Sequence, residues 1–410
     1  MQIVTETKAE FIDDAPLEIV ERKGAGHPDT LADGLAEAVS VAYSQRCLER
    51  YGLILHHNSD KTALLGGAAE VRFGDGVLTT PVRALINGRF SSGLGDDDLG
   101  VEELIDRVTR EFLGERLPRL DTKHDLVVQT RNNQASSPGH VGGRGTTGVR
   151  SRWFAPRTPS DLPEASRLFS NDTSCGVGYA PVGRTELLAT GIEMELNSPS
   201  FSARHPEYGS DIKVMACRVD QAVDITLCVP QIAALTPDLE TYVERKRSLL
   251  DTVHEIAARL APSLRPSVAL NTRDDHAKVE LYLTATGSSI ESGDEGVVGR
   301  GNRITGAISV LRPMSAEGFA GKNPVYHIGK LYNVLAVEAA NRLYQLTGHP
   351  TVVCLVSQSG RDLSDPWIAY VEQARATTVD TVLVKQVIDD VFGSVESIRT
   401  ELLTGVRAIC

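Results

Sequence analysis

The sequence predicts an α+β protein, and three observations lead there. Helix-like and strand-like stretches are intermixed without the regular βαβ alternation that builds a doubly wound sheet. Some stretches repeat apolar residues every three or four positions, whereas others alternate apolar and polar. At 410 residues, with 41% hydrophobic and 23% charged, the chain is long enough for about two or three structural units around a substantial core.

Taken in order, residues 28–48 read as a helix. Leu31, Leu35, Ala38, Val39 and Ala42 share one face, and Asp29, Asp33 and Glu37 form an acidic stripe beside it. Residues 53–57 and 61–65 read as short strands. The turn Gly74-Asp75-Gly76, between Val71-Arg72-Phe73 and Val77-Leu78, reads as a hairpin. Residues 131–167 are loop-like, rich in Gly, Pro, Ser and Thr, with six arginines against two acids, Asp161 and Glu164. A connection that long is either mobile or functional. Residues 211–219 and 222–229 read as strands. Thr236-Pro237-Asp238 then opens a helix to residue 260, with Thr236 as the cap and Pro237 in its first turn. Residues 278–286, KVELYLTAT, alternate as a half-buried strand does. A helix over 330–346, a strand over 351–357 and helix from 381 onward complete the pattern.

The formal net charge of -12 argues against a protein built to coat nucleic acid. No stretch approaches the roughly 20 apolar residues of a membrane span. Residues 1–16 lack the long apolar run of an export signal, so a cytoplasmic protein with neither membrane nor nucleic acid as partner is expected. The cysteines, Cys47, Cys175, Cys217, Cys228, Cys354 and Cys410, contain no CxxC pair and read as buried or incidental thiols.

Against that acidic background, residues 293–330 stand out. They carry eight glycines and, from Gly296 on, the cations Arg300, Arg303, Arg312, Lys322 and Lys330 against the single acid Glu317. Glycine lets backbone amides approach an anion, and Arg or Lys supply counter-charge; a set of solvated surface turns is the plainer reading. In Gly24-Ala25-Gly26-His27-Pro28-Asp29, a His and an Asp meet a helix N-terminus. His27 could donate to a phosphate ester oxygen and Asp29 could hold a divalent ion, or both could form an ordinary cap. His56 and His57 are adjacent on a strand, so they point to opposite faces and do not share an ion. Asn58 with Asp60 offers a polar contact, either to a cation or within a strand-end turn. Residues 171–179 join a polar cluster to glycines, and Asp211 and Lys213 share one strand face.

In this order, ERKGAGHPDTLADGLAEAVS, LHHNSD, NDTSCGVGYAP, SDIKVM, YLTATGSSIESGDEGVVGRGNRITG, RPMS and GKNPVYHIGKLYNVLA closely resemble the archaeal-type S-adenosylmethionine synthetases. The similarity covers roughly residues 17–89 and 170–335. The resemblance implies one unit over residues 1–410, built from three interleaved α+β subdomains in a pseudo-threefold arrangement. It implies a variable, mobile region over 126–169 that covers the substrate. It also implies a homodimer with active sites at the interface, Mg²⁺ and K⁺ as cofactors, and ATP and L-methionine as substrates. In the implied reaction, methionine sulfur attacks C5′ of ATP, and the displaced triphosphate is cleaved to pyrophosphate and phosphate. By the same resemblance, His27, Lys213, Arg300 and Lys322 are catalytic, with His27 on the leaving 5′-oxygen side. Arg303, Lys330, Asn171 and Asp172 bind ATP or its triphosphate. Asp29 and Asp294 bind metal. Asn58, Asp60, Gln134 and Tyr326 bind substrate.

The sequence departs from the family pattern on the acceptor side. Asn132-Asn133-Gln134-Ala135 stands where the family carries Gly-Gln-Gly-Ser, Tyr326 replaces an Asn, Lys61 a Gln, and Glu295 an Asp. These changes keep open a diverged adenosyltransferase with another thioether acceptor. An inactive ATP-binding regulatory paralogue fits less well, because a pure binder need not keep leaving-group machinery.

Overall fold

A computed structural model describes residues 1–134, 152–162 and 167–407. Its apolar side chains gather into three separate cores, each a mixed or antiparallel sheet covered by helices. The predicted α+β class is borne out.

The first core lies under the sheet ordered Gln2–Lys8, Ile368–Ala374, Thr351–Val356, Cys175–Ala180. The second is formed around Val82–Phe90, which pairs with His57–Asn58, with Ala63–Leu65 and, in parallel, with Leu126–Asn132. The third underlies the sheet ordered Arg265–Leu270, Ala222–Cys228, Lys213–Val219, Leu17–Lys23, Ile308–Ser309. The chain threads between them. Its first strand pairs in parallel with Ile368–Ala374, and its next principal strand, Leu17–Lys23, lies in the third sheet.

The helices are α1 (Pro28–Tyr51), α2 (Val101–Arg116), α3 (Arg184–Leu196), α4 (Pro199–Arg204), α5 (Leu239–Leu260), α6 (Ile328–Thr347), α7 (Thr381–Gly393) and α8 (Val395–Thr404). Helix α1 ends on Gly52 and α6 on Gly348, both in the left-handed region that glycine enters without a Cβ penalty. The strands and hairpin read over 211–229, 351–357 and around Gly74 all form, within a few residues.

Several elements differ from the sequence reading. The run 278–286 keeps only Leu283–Thr284 as strand. Asp275 folds the start of it into a turn by accepting from the amides of Ala277 and Lys278, and Val279 sits at φ 56°. The cap of α5 is Asp238, which accepts from Thr241 N–H at 2.7 Å; Thr236 instead donates to Ile232 O. Residues 53–57 are irregular except at His57, and 61–65 is strand only at Ala63–Leu65. Within 126–169, Leu126–Asn132 is a strand, whereas 135–151 and 163–166 lie outside the described residues.

The third sheet meets the second core at one crowded junction. Gly24 N–H donates to Ile212 O at 2.6 Å and Gly26 N–H to Ser210 O at 3.0 Å. A Cβ on Gly26 would lie 2.3 Å from Ser210 Oγ and 2.7 Å from Asp211 N, so the chain entering α1 is pressed against the segment entering the strand Lys213–Val219. Overpacking of this kind costs roughly 1–3 kcal/mol. Gly26→Ala is expected to lower unfolding free energy by about that amount in urea titration; an unchanged midpoint would show that the junction is looser than drawn.

Candidate active site

Two polar clusters lie along one face of α1. The first surrounds its N-terminus. Asp29 N–H donates to His27 Nδ1 at 3.1 Å, which leaves the ring proton on Nε2. Burial lowers the His27 pKa below its ordinary value; the Asp211 charge opposes this and Lys23 reinforces it. His27 is therefore a neutral N–H donor. Burial pushes the Asp29 carboxyl upward, but Lys23 Nζ at 2.8 Å and the Val297 amide at 3.0 Å outweigh it and hold the group ionised. Lys213 stands opposite Lys23 in the sheet and reaches Glu21 at 3.0 Å. Behind them Asp211 is buried, and its Oδ2 accepts from Ser289 N–H, Ser289 Oγ and Tyr282 OH.

The glycine-rich loop is bound to this cluster by its backbone. Asp33, 4% exposed, accepts from Gly299 N–H at 2.7 Å and Gly301 N–H at 3.1 Å. A Cβ on Gly301 would lie 2.3 Å from Asp33 Oδ2, so only glycine brings that amide in. Asn302 pairs with both backbone groups of Lys23, at 3.0 and 2.7 Å. Arg300 is left exposed, its carbonyl accepting from Lys23 Nζ at 2.6 Å. Arg303 turns inward and holds the carbonyls of Gly299 and Gly301. Asp294 is exposed and accepts from Ser289 Oγ at 3.0 Å.

The second cluster surrounds the start of α6. Lys330, 1% exposed, forms 2.7 Å contacts to both oxygens of Glu37, and Gly321 N–H donates to the same carboxylate. Eight residues separate Glu37 from Asp29 on α1, a span of about 12 Å at 1.5 Å per residue. Lys322 is buried, pairs with Glu317 and lies 3.6 Å from Asp60, which is also bound by Lys61 at 2.8 Å. Asn58 bridges to Lys322 through the backbone, and its side chain accepts from Asp60 N–H. Asn171 accepts from Ile328 N–H at 2.9 Å, while Asp172 is exposed beside it.

The remaining sequence-predicted residues lie at the margin. Gln134 donates to Phe90 O at 3.2 Å. Tyr326 is 7% exposed within the first core, its OH 2.8 Å from His56 Nδ1. His56 stacks on Trp153, whereas His57 meets Ser40 Oγ at 2.8 Å and Phe90. The two histidines face opposite sides, as expected. Sequence reasoning assigned no role to Lys23, Asp33, Glu37, Asp211, Glu317 or His327. The signal for two of them was present in the acidic stripe, because carboxylates four apart on a largely buried helix face must be partnered.

Among the described residues no group of three or more His, Cys, Asp or Glu is placed to hold a metal ion. Asp29 is a single hard-oxygen donor at a helix N-terminus, flanked by the backbone of 296–301. That donor set suits an ion that takes its other ligands from water and from substrate phosphates, as Mg²⁺ does.

Buried cations, oriented amides and a neutral imidazole strung along one helix of an α+β frame define a polyanion-binding enzyme. The comparisons with known proteins agree. The family model for S-adenosylmethionine synthetase (AdoMet synthetase) matches residues 1–406. The S-adenosylmethionine synthase of Hyperthermus butylicus is 38% identical over 377 residues, 90% of this chain and 88% of that protein. That of Saccharolobus solfataricus is 38% identical over 393 residues, 94% of this chain and 92% of its own. An S-adenosylmethionine synthetase structure from Campylobacter jejuni superposes with a TM-score of 0.55 over 94% of this chain and 89% of that one; at 13% identity this likeness speaks for the fold alone. The chain belongs to the S-adenosylmethionine synthetase family.

The Asp33 clamp carries a pH signature. Burial pushes its carboxyl up to about 6 from 3.8, against the pull of the Gly299 amide and of Arg303. The folded chain thus takes up a proton between these values that the unfolded chain does not. Stability credited to protonated Asp33 is fully present below about pH 3.8 and is lost as pH rises through about 6. The difference amounts to roughly 3 kcal/mol at 1.36 kcal/mol per unit. In Asp33→Asn that slope is absent, so urea titrations at pH 4, 5, 6 and 7 should show the two proteins' midpoints converging as pH rises, or crossing. A constant offset across the series would mean Asp33 titrates as an ordinary carboxylate.

Proposed function

We propose that this protein is a methionine adenosyltransferase, joining ATP and L-methionine into S-adenosylmethionine and splitting the displaced triphosphate into pyrophosphate and phosphate. The observation that carries the reading is the cluster of His27, Asp29 and Lys213 at the mouth of α1, facing the clamped glycine-rich loop.

A thioether sulfur is nucleophilic without a base, so the barrier lies in aligning sulfur with C5′ and in the charge that builds on the leaving triphosphate. His27 offers Nε2–H to the leaving 5′-oxygen. Because it is neutral, it donates a hydrogen bond without losing a proton. Lys213 and Arg300, the more exposed cations of the first cluster, are free to swing onto phosphate oxygens. Asn171 and Asp172 contact adenosine or the amino acid, and Asn58, Asp60 and Gln134 border the acceptor. Lys322, from the segment before α6, and Lys330, in its first turn, complete the phosphate machinery, with Arg303 holding the loop in shape. Tyr326 acts from behind, fixing His56.

Asp29 and, on the phosphate side, Asp294 would hold Mg²⁺; bound there, it supplies counter-charge to the triphosphate. A K⁺ near Asp60 is consistent with that carboxylate's position, although Lys61 already occupies one side of it. A homodimer is supported by the exposed Leu17, Val219, Val310 and Leu311, which adjoin one another at one end of the third sheet. A cytoplasmic location fits the five described cysteines, all free thiols.

The test is mass spectrometry of products from ATP, Mg²⁺, K⁺ and methionine. S-adenosylmethionine with pyrophosphate and phosphate is expected, and His27→Ala should abolish it. Lys213→Ala should lower kcat about 10²–10³-fold, the cost of one preorganised donor to developing charge. ATP binding without product would remove methionine as the acceptor.

A further inference from the structure

His27 has a counterpart that the reaction outlined above does not use. Both long helices that flank the site begin on a histidine. In α1 the cap is His27; in α6 it is His327, whose Nδ1 accepts from Gly329 N–H at 3.2 Å. As in His27, that bond leaves the ring proton on Nε2. The other early amides of α6 are also engaged: Ile328 N–H by Asn171, and Lys330 N–H by His327 O at 3.1 Å. The helix end therefore offers a ligand no spare amides. What it offers is the His327 ring, 8% exposed, whose Nε2 has no partner among the described residues.

The surroundings of that ring are paired charges, Lys322 with Glu317 and Lys330 with Glu37. The Lys322 ammonium lies against the same first turn, within 2.7 Å of where a Cβ on Gly329 would stand. Burial lowers the His327 pKa to about 3; Lys322, Lys330 and Lys61 act in the same sense, and Asp60 opposes them. The imidazole therefore stays neutral at any working pH. The ring is largely buried, yet its Nε2 is not shut away from solvent, so that N–H is open to an acceptor on a ligand. An acceptor that can also draw on the adjacent Lys322 ammonium, in exchange for Glu317, is an anionic oxygen.

We propose that His327 is a second substrate-binding histidine, donating Nε2–H beside Lys322 to an anionic oxygen of the bound substrates. This rests on the adenosyltransferase reading, which supplies two such oxygens: those of the triphosphate and that of the methionine carboxylate. Their chemistry at the ring is the same, and the experiment separates them.

His327→Asn keeps a capping oxygen for Gly329 N–H but removes the donor at Nε2. His327→Gln places an amide N–H near the lost position. Wild type and both variants are titrated calorimetrically with tripolyphosphate and, separately, with L-methionine, after their melting temperatures are compared. H327N should melt with the wild type and bind one of the two probes about ten- to a hundredfold more weakly, with H327Q recovering part of the loss. Weakened tripolyphosphate binding assigns the ring to phosphate; weakened methionine binding assigns it to the carboxylate. Binding of both probes by H327N within twofold of wild type overturns the proposal, as does wild-type protein that binds neither. Should H327N melt early, His327→Asp, which also caps, sets a carboxylate in the donor's place; unaltered binding there overturns it too. Loss of probe binding in H327N, in a protein that makes no S-adenosylmethionine, would leave this inference standing and remove the activity instead.

Discussion

The arrangement of the site depends on three carboxylates on one face of α1. Asp29 holds Lys23 and the Val297 amide, Asp33 holds the amides of Gly299 and Gly301, and Glu37 holds Lys330 and the Gly321 amide. Each grips a different part of the segment 293–330 or the cation beside it. That segment has little regular structure, with two short strands between its ends and α6. Its shape comes from what α1 does to its amides. A helix is rigid over the roughly 12 Å involved, so the loop inherits that rigidity at three points. Glycine is needed at the Asp33 clamp, where a Cβ on Gly301 would lie 2.3 Å from Asp33 Oδ2.

The same carboxylates set the electrostatics of the site. Its buried cations are already paired: Lys23 with Asp29, Lys330 with Glu37, Lys322 with Glu317. Truncating one member of such a pair leaves a buried charge alone, at a cost of about 3–5 kcal/mol. A polyanion that enters must therefore compete with carboxylates, or share cations with them. Lys213 and Arg300 differ in being more exposed, and they are the cations best able to move to an arriving phosphate.

The sequence carried the class of fold, because helical and alternating periodicities survive in single segments such as α1 and the strands Lys213–Val219 and Ala222–Cys228. It did not carry the fate of 278–286. There the alternation was genuine, but Asp275 could satisfy two amides locally and did so before any ladder formed. At the site, residue types were legible and partnerships were not. Arg303 is a triphosphate contact by the family resemblance, and nothing in the sequence signalled that its guanidinium also holds the Gly299 and Gly301 carbonyls. Tyr326 reads as a substrate contact from its place in a motif, yet the turn preceding α6 points it into the core toward His56. The spacing Asp29, Asp33, Glu37 was visible from the start. Its meaning depended on which partners the acidic face of α1 meets, and some of these lie more than 250 residues away, as in the Val297–Asp29 contact, separated by 268.

Neutral histidines at both helix starts answer a problem that lysines alone create. A site made only of ammonium groups would supply charge to the triphosphate but no donor fixed in direction on one leaving oxygen. It would also be strained in the empty protein, where like charges crowd one another. An imidazole kept neutral by burial adds a directional donor and no net charge. Its bond strengthens as charge accumulates on the oxygen it faces, and weakens when that charge leaves. Capping supplies the orientation: the bond from the amide two residues on fixes both tautomer and ring position, as Asp29 N–H does for His27 and Gly329 N–H for His327. The two helices thus use a structural need, satisfaction of an early amide, to fix the tautomer that leaves the proton on the opposite ring nitrogen.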